Sequence, residues 1–376
     1  MNVMSPRDDA MTAFLAAAGW EAAVRRPLAG DASTRRYIRL HLDGRTAMLM
    51  DQPQGAEAPA APLGASPGER RAFGYNALAR LAGADCARFV AAAGYLRGRG
   101  LAAPEIYAAD TALGFLLLED LGVDLYTDVL GRDGDERTLY EAAVDVLAQL
   151  HGEPAPEALA PDKPLFAYDE TAQLAETDLL TEWFLPAALG HPADASVADE
   201  HRALWREALR SVAADAAVFV HRDYHAQNLI WRPGRVGLAR VGIIDFQDAL
   251  AGSPAYDLIS LIEDARRDVA PDLARAMTER YLGRRRAEGA AMDPERFRAT
   301  AAILAAQRNA KIIGIFARLA KRDKKPRYLA HLPRVWRYME RDLAHPALAP
   351  LKSWYDRTIP RERRGVLKPD IAGESS

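Results

Sequence analysis

An octet of unusual polarity, HRDYHAQN (His221 to Asn228), lies between the apolar stretches AAVFV and LIW. Asp223 follows His221 by two positions and Asn228 follows Asp223 by five, and a second carboxylate, Asp245, sits at the end of the next strand-like stretch, RVGIIDFQD. A loop that leads through a short hairpin to a strand-end Asp can gather three oxygen-bearing side chains at one small cleft. Mg²⁺ is a hard ion that takes its oxygens from one or two carboxylates, an amide and the phosphates of a substrate. A remaining carboxylate can then accept the proton of an attacking hydroxyl. His221 joins the catalytic set as the brace of the loop. The chemistry this pattern suits is phosphoryl transfer.

The elements that must hold these residues are legible as periodicities. A short helix is expected over 12–24, followed by a hairpin formed from LAGDASTRRYIRLHL and RTAMLMDQP. The turn at its entrance, GDASTRRY (Gly30 to Tyr37), offers one glycine, two hydroxyls and two arginines, so its backbone amides and Ser33 or Thr34 are expected to hold β- and γ-phosphates. It is neither a Walker sequence nor a three-glycine loop. The Pro-, Ala- and Gly-rich run PQGAEAPAAPLGASPGER reads as a mobile loop. A helix over 85–99 and two strands, PEIYAAD and GFLLLED, come next. Beyond Gly122 the pattern is helical over 136–151, 168–189, 199–214, 271–288, 294–320 and 331–343. The expected fold is α+β, with a small β-rich lobe over 1–120 that binds nucleotide and a larger, mainly helical lobe over 121–376 that carries catalysis and acceptor binding.

Composition narrows the setting. Apolar residues are 49% of the chain and charged ones 27%, the balance of a globular protein with a large core. A net charge of -3 argues against nucleic acid, whose binding surfaces are strongly basic. One cysteine, Cys86, excludes an internal disulfide framework, and no Cys/His set has zinc spacing. The start, MNVMSPRDDAMTAF, has acids where a secretory signal needs a basic segment, and no apolar run approaches the roughly 18 residues of a membrane helix. The expectation is a cytoplasmic monomer without a membrane span.

Together, His221, Asp223, Asn228 and Asp245 match the H-x-D-x(4)-N…D pattern of the protein-kinase-like fold. More narrowly, HRDYHAQNLIW…IIDFQDALAGSPAYDL resembles the aminoglycoside phosphotransferase and choline kinase branch, in which Asp-Phe is not followed by Gly; here Gln247 stands in that place. No Ala-Pro-Glu segment follows, which sets protein kinases aside. The resemblance implies a bilobal fold, ATP and Mg²⁺ as cofactors, Asn228 and Asp245 as the metal ligands, Asp223 as the base, and a supporting role for Asp257. It also implies a hinge in GFLLLEDLG, where the backbone from Glu119 to Leu121 meets the adenine edge. The family usually carries a lysine on the third strand, yet TAMLMDQP has Met48 and Met50 and no lysine. Arg35 or Arg36 is the expected replacement at the α/β-phosphates.

Charge bears on the acceptor. Polycationic aminoglycosides call for carboxylates, whereas RNAKIIGIFARLAKRDKKPRYLAHLPRVWRYMER is strongly basic, and its Arg308 and Lys311 sit among apolar residues at helical spacing, as side chains facing a cleft would. With GDASTRRY, LLLEDLG and the catalytic segments, this stretch resembles the anomeric sugar kinases for N-acetylmuramate and N-acetylglucosamine, over roughly residues 10–345. That resemblance implies transfer of the γ-phosphate to the C1 hydroxyl in peptidoglycan recycling, with the lactyl carboxylate of N-acetylmuramate paired to a cation. Glu176, Asp178 and Glu182 in AETDLLTEWF are expected to hydrogen-bond sugar hydroxyls, and Trp183 to stack on the ring. Two alternatives stay open: another small-molecule kinase of this branch, for an aminoglycoside, choline, homoserine or ketosamine, and a nucleotide-binding pseudokinase scaffold. The missing strand lysine favours the scaffold; the presence of Asp223, Asn228 and Asp245 opposes it.

Overall fold

A computed structural model describes residues 5–29, 34–55, 58–132, 134–212 and 217–367. Helix α1 (Pro6–Ala17) starts where its capping residues dictate. Ser5 accepts from the Asp8 N–H, the Asp8 carboxylate accepts from the Ser5 N–H, and Pro6 opens the first turn. The helix therefore begins six residues ahead of the expected 12–24 segment. Strands β1 (Val24–Pro27), β2 (Arg36–Leu42) and β3 (Arg45–Asp51) follow, and the two-residue turn Asp43-Gly44, with both φ values positive, closes the predicted hairpin. The stretch expected to be loop holds α2 (Pro67–Phe73), started by a second capping box from Ser66 and Glu69, and leads into α3 (Tyr75–Leu78). Then α4 (Cys86–Gly98), capped by Asp85, precedes β4 (Ile106–Asp110) and β5 (Phe115–Glu119). The antiparallel sheet has the order β1-β2-β3-β5-β4. One face buries Leu40, Leu49, Phe115 and Leu117 against Met11 and Leu15 of α1.

The rest is mainly helical. It comprises α5 (Tyr126–Leu130), α6 (Glu136–Leu150), β6 (Ala158–Ala160), β7 (Lys163–Pro164), α7 (Glu170–Leu179), a π-turn at Leu180–Phe184, α8 (Leu185–Leu189) and α9 (Ala195–Arg210). Strand β8 (Val218–Val220) precedes the octet in the chain and β9 (Leu229–Trp231), β10 (Val241–Ile243) and β11 (Leu250–Gly252) follow it, and α10 (Ala255–Ile262), α11 (Pro271–Ala287), α12 (Pro294–Lys321), α13 (Leu332–Asp342) and α14 (Ala349–Thr358) come after them. All eight residues of α10 are buried, so it lacks the polar stripe by which an amphipathic helix is recognised, and the sequence gives no warning of it.

Two compact units result: residues 1–150, 156–166 and 226–249 form the first, and residues 151–155, 167–225 and 250–376 the second. In the first unit the β9–β10 hairpin is stitched to the N-terminal part, with Trp231 N–H on the Asp124 carbonyl at 2.7 Å and Ile243 N–H on that of Ala102 at 3.0 Å. In the second unit β8 pairs with β11, and α12 packs against α7, α10 and α13. Gly314 permits the closest approach: a Cβ there would lie 2.4 Å from the Leu179 carbonyl carbon.

Candidate functional site

In the first unit, Asn228 ends a 3₁₀ turn just before β9, and Asp245 follows β10 with φ +65°. Only a few per cent of residues with a Cβ adopt that left-handed conformation, and it points to a carboxylate held for a purpose. Asn228 Nδ2 donates to Asp245 Oδ2 at 3.4 Å. Two further donors meet at the other oxygen, Oδ1: Arg35 Nη1 at 2.9 Å and Gln247 Nε2 at 3.1 Å. The residue standing in place of the family's glycine thus orients the expected metal ligand, and Phe246 between them packs on Phe89 of α4.

Arg35 and Arg36 part company. Arg36 donates to the buried Asp51 at 2.5 Å, a carboxylate also gripped by Arg7 of α1. Arg35 alone reaches Asp245. Thr34 accepts from Gln52 Nε2 at 3.1 Å, while Ser33 lies outside the described residues. At the expected hinge, the Glu119 N–H is already donated to the Glu105 carbonyl and its carboxylate takes Arg232, so its backbone N–H is not available to a base. Leu121 is buried.

In the second unit, the first half of the octet is fixed by Asp257 of α10, whose two oxygens accept the N–H groups of His221 at 2.7 Å and Arg222 at 2.8 Å. His221 is fully buried, and its Nδ1 accepts the Asp223 N–H at 3.3 Å, an internal brace. Asp223 is half-buried. Burial raises its pKa, but the charges of Lys311, His225, Arg222 and Arg308 prevail and hold it at about 2. Burial lowers the pKa of His225 itself, so at neutral pH the cations that count are Lys311, Arg222 and Arg308.

The residues expected around a sugar divide. Glu176 is fully buried and its oxygens are committed to Arg222, Tyr168, Gln307 and Lys311. Arg308 is 4% exposed and donates to the Glu263 carbonyl; Lys311 is 7% exposed and donates to the Tyr256 hydroxyl at 2.8 Å. These three hold protein groups, because helix packing closes over them. Asp178 is paired with Arg202. Glu182 is exposed and Trp183 half-buried, both on the π-turn. The roles of Gln247 and of the Glu176–Arg222 pair were not anticipated. A glutamine in glycine's place was a visible signal for the first, and nothing local marked the second.

Among the described residues no group of three or more His, Cys, Asp and Glu side chains could hold a metal ion, so any metal here relies on few protein oxygens. None of their helices is long and apolar enough to cross a membrane.

The phosphotransferase enzyme family matches residues 24–297. An N-acetylmuramate/N-acetylglucosamine kinase of Caulobacter vibrioides is 46% identical over 367 residues, covering 97% of this chain and 100% of that protein. A kinase of the same name from Pseudomonas aeruginosa is 33% identical over 350 residues, 92% of each chain. Among solved structures, a choline/ethanolamine kinase family protein from Mesorhizobium loti aligns with a TM-score of 0.55 at 15% identity, over 92% of this chain and 98% of that one; this likeness is one of fold.

Proposed function

We propose that this chain, which belongs to the phosphotransferase enzyme family and is an ATP-dependent phosphotransferase, phosphorylates the anomeric C1 hydroxyl of N-acetylmuramate and N-acetylglucosamine. The product is the sugar 1-phosphate, and the setting is peptidoglycan recycling. The observation that carries this reading is the 46% identity to an N-acetylmuramate/N-acetylglucosamine kinase across nearly the whole chain.

The donor chemistry fits Mg²⁺. Asp245 and Asn228 offer a carboxylate and an amide, both hard oxygen donors, and Mg²⁺ is commonly held by one or two carboxylates together with substrate phosphates. When bound, the ion neutralises charge on the phosphates. Gln247 keeps its hold on Asp245 Oδ1 when Arg35 turns to the phosphates, and Asp245 and Asn228 would hold the ion. Arg35 takes over the office of the missing strand lysine by moving its guanidinium onto the α/β-phosphates. Thr34, with Ser33 ahead of it, contributes to the phosphate turn, and the backbone at Leu121 meets the adenine. Asp223 receives the proton of the acceptor hydroxyl. A carboxylate near 2 is a weak base, which suits a loose phosphoryl-transfer transition state in which positioning matters more than proton abstraction. Glu182 and Trp183 of the π-turn are the sugar contacts retained from the expected set.

The test is the product. Incubation with ATP, Mg²⁺ and each amino sugar is expected to give a phosphorus resonance coupled to the anomeric proton, and Asp223→Asn to lower kcat about 100-fold or more. Turnover of kanamycin or choline with none of either amino sugar would end this reading.

A further inference from the structure

Arg222 is a residue that neither backbone geometry nor burial selects. Its φ of +79° lies in the left-handed region, which strains any residue with a Cβ and leaves glycine untouched. Its side chain is 2% exposed, so the guanidinium has surrendered its hydration. What it meets is Glu176 of α7, fully buried, whose Oε1 accepts Arg222 Nη2 and lies 3.4 Å from Lys311 Nζ of α12. Glu176 Oε2 accepts from Gln307 Nε2 at 2.8 Å and from the Tyr168 hydroxyl, so the carboxylate is clamped from both sides. Lys311 is steadied by the Tyr256 hydroxyl at 2.8 Å.

The charges on this platform do not balance by themselves. Arg222 and Lys311 bring two positive charges to the single negative charge of Glu176. The neighbouring carboxylate that feels both cations is Asp223, the next residue in the chain after Arg222. We propose that Glu176 is a positioning residue for the base: by gripping Arg222 and Lys311 together, it aims two buried cations at Asp223, which holds that carboxylate in place and balances its charge. The inference rests on Asp223 being the base that serves the acceptor hydroxyl. The groups around Asp223 are Arg222 and His225 of its own loop and Lys311 and Arg308 of α12; behind them stand Glu176 of α7, Tyr256 and Asp257 of α10, and Asp264 past its end. Lys311 is the largest of the cationic influences that keep Asp223 acidic, and its own pKa is raised by Glu176 against the effect of burial.

The experiment takes full-length Arg222→Gly, Glu176→Gln, Lys311→Met and the pair Arg222→Gly/Glu176→Gln, with Asp223→Asn as reference. It measures kcat and KM for ATP and sugar from pH 4 to 9, and Tm. Arg222→Gly is expected to lower Tm, because losing the partner of the buried Glu176 outweighs the strain that glycine relieves, and to lose about tenfold in kcat with the KM for ATP unchanged. The double variant should lose no more than the larger single loss, because both changes dismantle one device. Lys311→Met should bring an acid limb into the kcat/KM profile below about pH 5, as Asp223 returns toward or above its ordinary pKa. A residue that only supported packing would move Tm and leave the pH profile alone. Arg222→Gly with the parent's kcat and pH profile, beside a dead Asp223→Asn, overturns the inference and spares the assignment of the base. An active Asp223→Asn overturns both. If Arg222→Gly does not fold, Glu176→Gln decides: a lowered kcat with the KM for ATP unchanged upholds the grip, and the parent's kcat overturns it.

Discussion

Arg35 and Arg36 are neighbours in sequence with separate duties, because successive residues entering a strand point to opposite faces. Arg36 goes to Asp51, the carboxylate that also anchors α1 through Arg7, whereas Arg35 goes to Asp245. Arg35→Ala is therefore expected to raise the KM for ATP about tenfold, the loss of one charge-assisted contact. Arg36→Ala should leave that KM unchanged and lower Tm slightly, and comparing the two in one steady-state assay checks the division. Glu176 gives a second expectation. Burial pushes its pKa up, but Lys311 and Arg222 pull it down to about 2, below the ordinary value of 4.5. A folded-state pKa below the unfolded one means a contribution to stability that is full above about pH 4.5 and fades as pH falls toward 2. Tm measured against pH should thus show wild type well above Glu176→Gln at pH 7, with the gap narrowing steadily on acidification.

Helices and strands owe their positions to signals of different reach. The capping boxes at Ser5 and Ser66 and the Asp43-Gly44 turn are local, so they act on their own segments whatever the rest of the chain does. The join between α12 and α7 is different in kind. At Gly314 an added Cβ meets the Leu179 backbone at 2.4–2.5 Å, and backbone cannot swing aside as a flexible side chain does. Gly314→Ala is expected to destabilise the fold by about 1–3 kcal/mol, the usual cost of overpacking. Because α7 carries Glu176 and α12 carries Lys311, the same change should also lower kcat, which a denaturant titration paired with an activity assay would show. The π-turn that follows α7 widens the helix by one residue where Glu182 and Trp183 stand, and such turns recur at functional sites.

At the scale of the molecule, the first unit is built from three separated pieces of chain. The β9–β10 hairpin covers Ala102, Phe246 covers Phe89, and Asp248 accepts the Ala82 N–H at 2.6 Å, so the N-terminal 120 residues on their own expose surfaces the intact unit buries. A fragment ending at residue 120 is expected to melt without cooperativity in a circular dichroism scan, where the full chain gives sharp transitions. Much was settled by sequence alone: the reaction class, the hairpin, the order of sheet before helices, and the bounds of α6, α11, α12 and α13 to within one or two residues. Such features depend on residue types at short fixed spacings, which are local properties of the chain. Tertiary structure decided which arginine reaches Asp245, that Arg222 and Lys311 are buried partners of Glu176, and which distant segments share a unit. Each of those depends on what packs over a side chain from remote parts of the sequence, and burial of that kind leaves no local periodicity to be read.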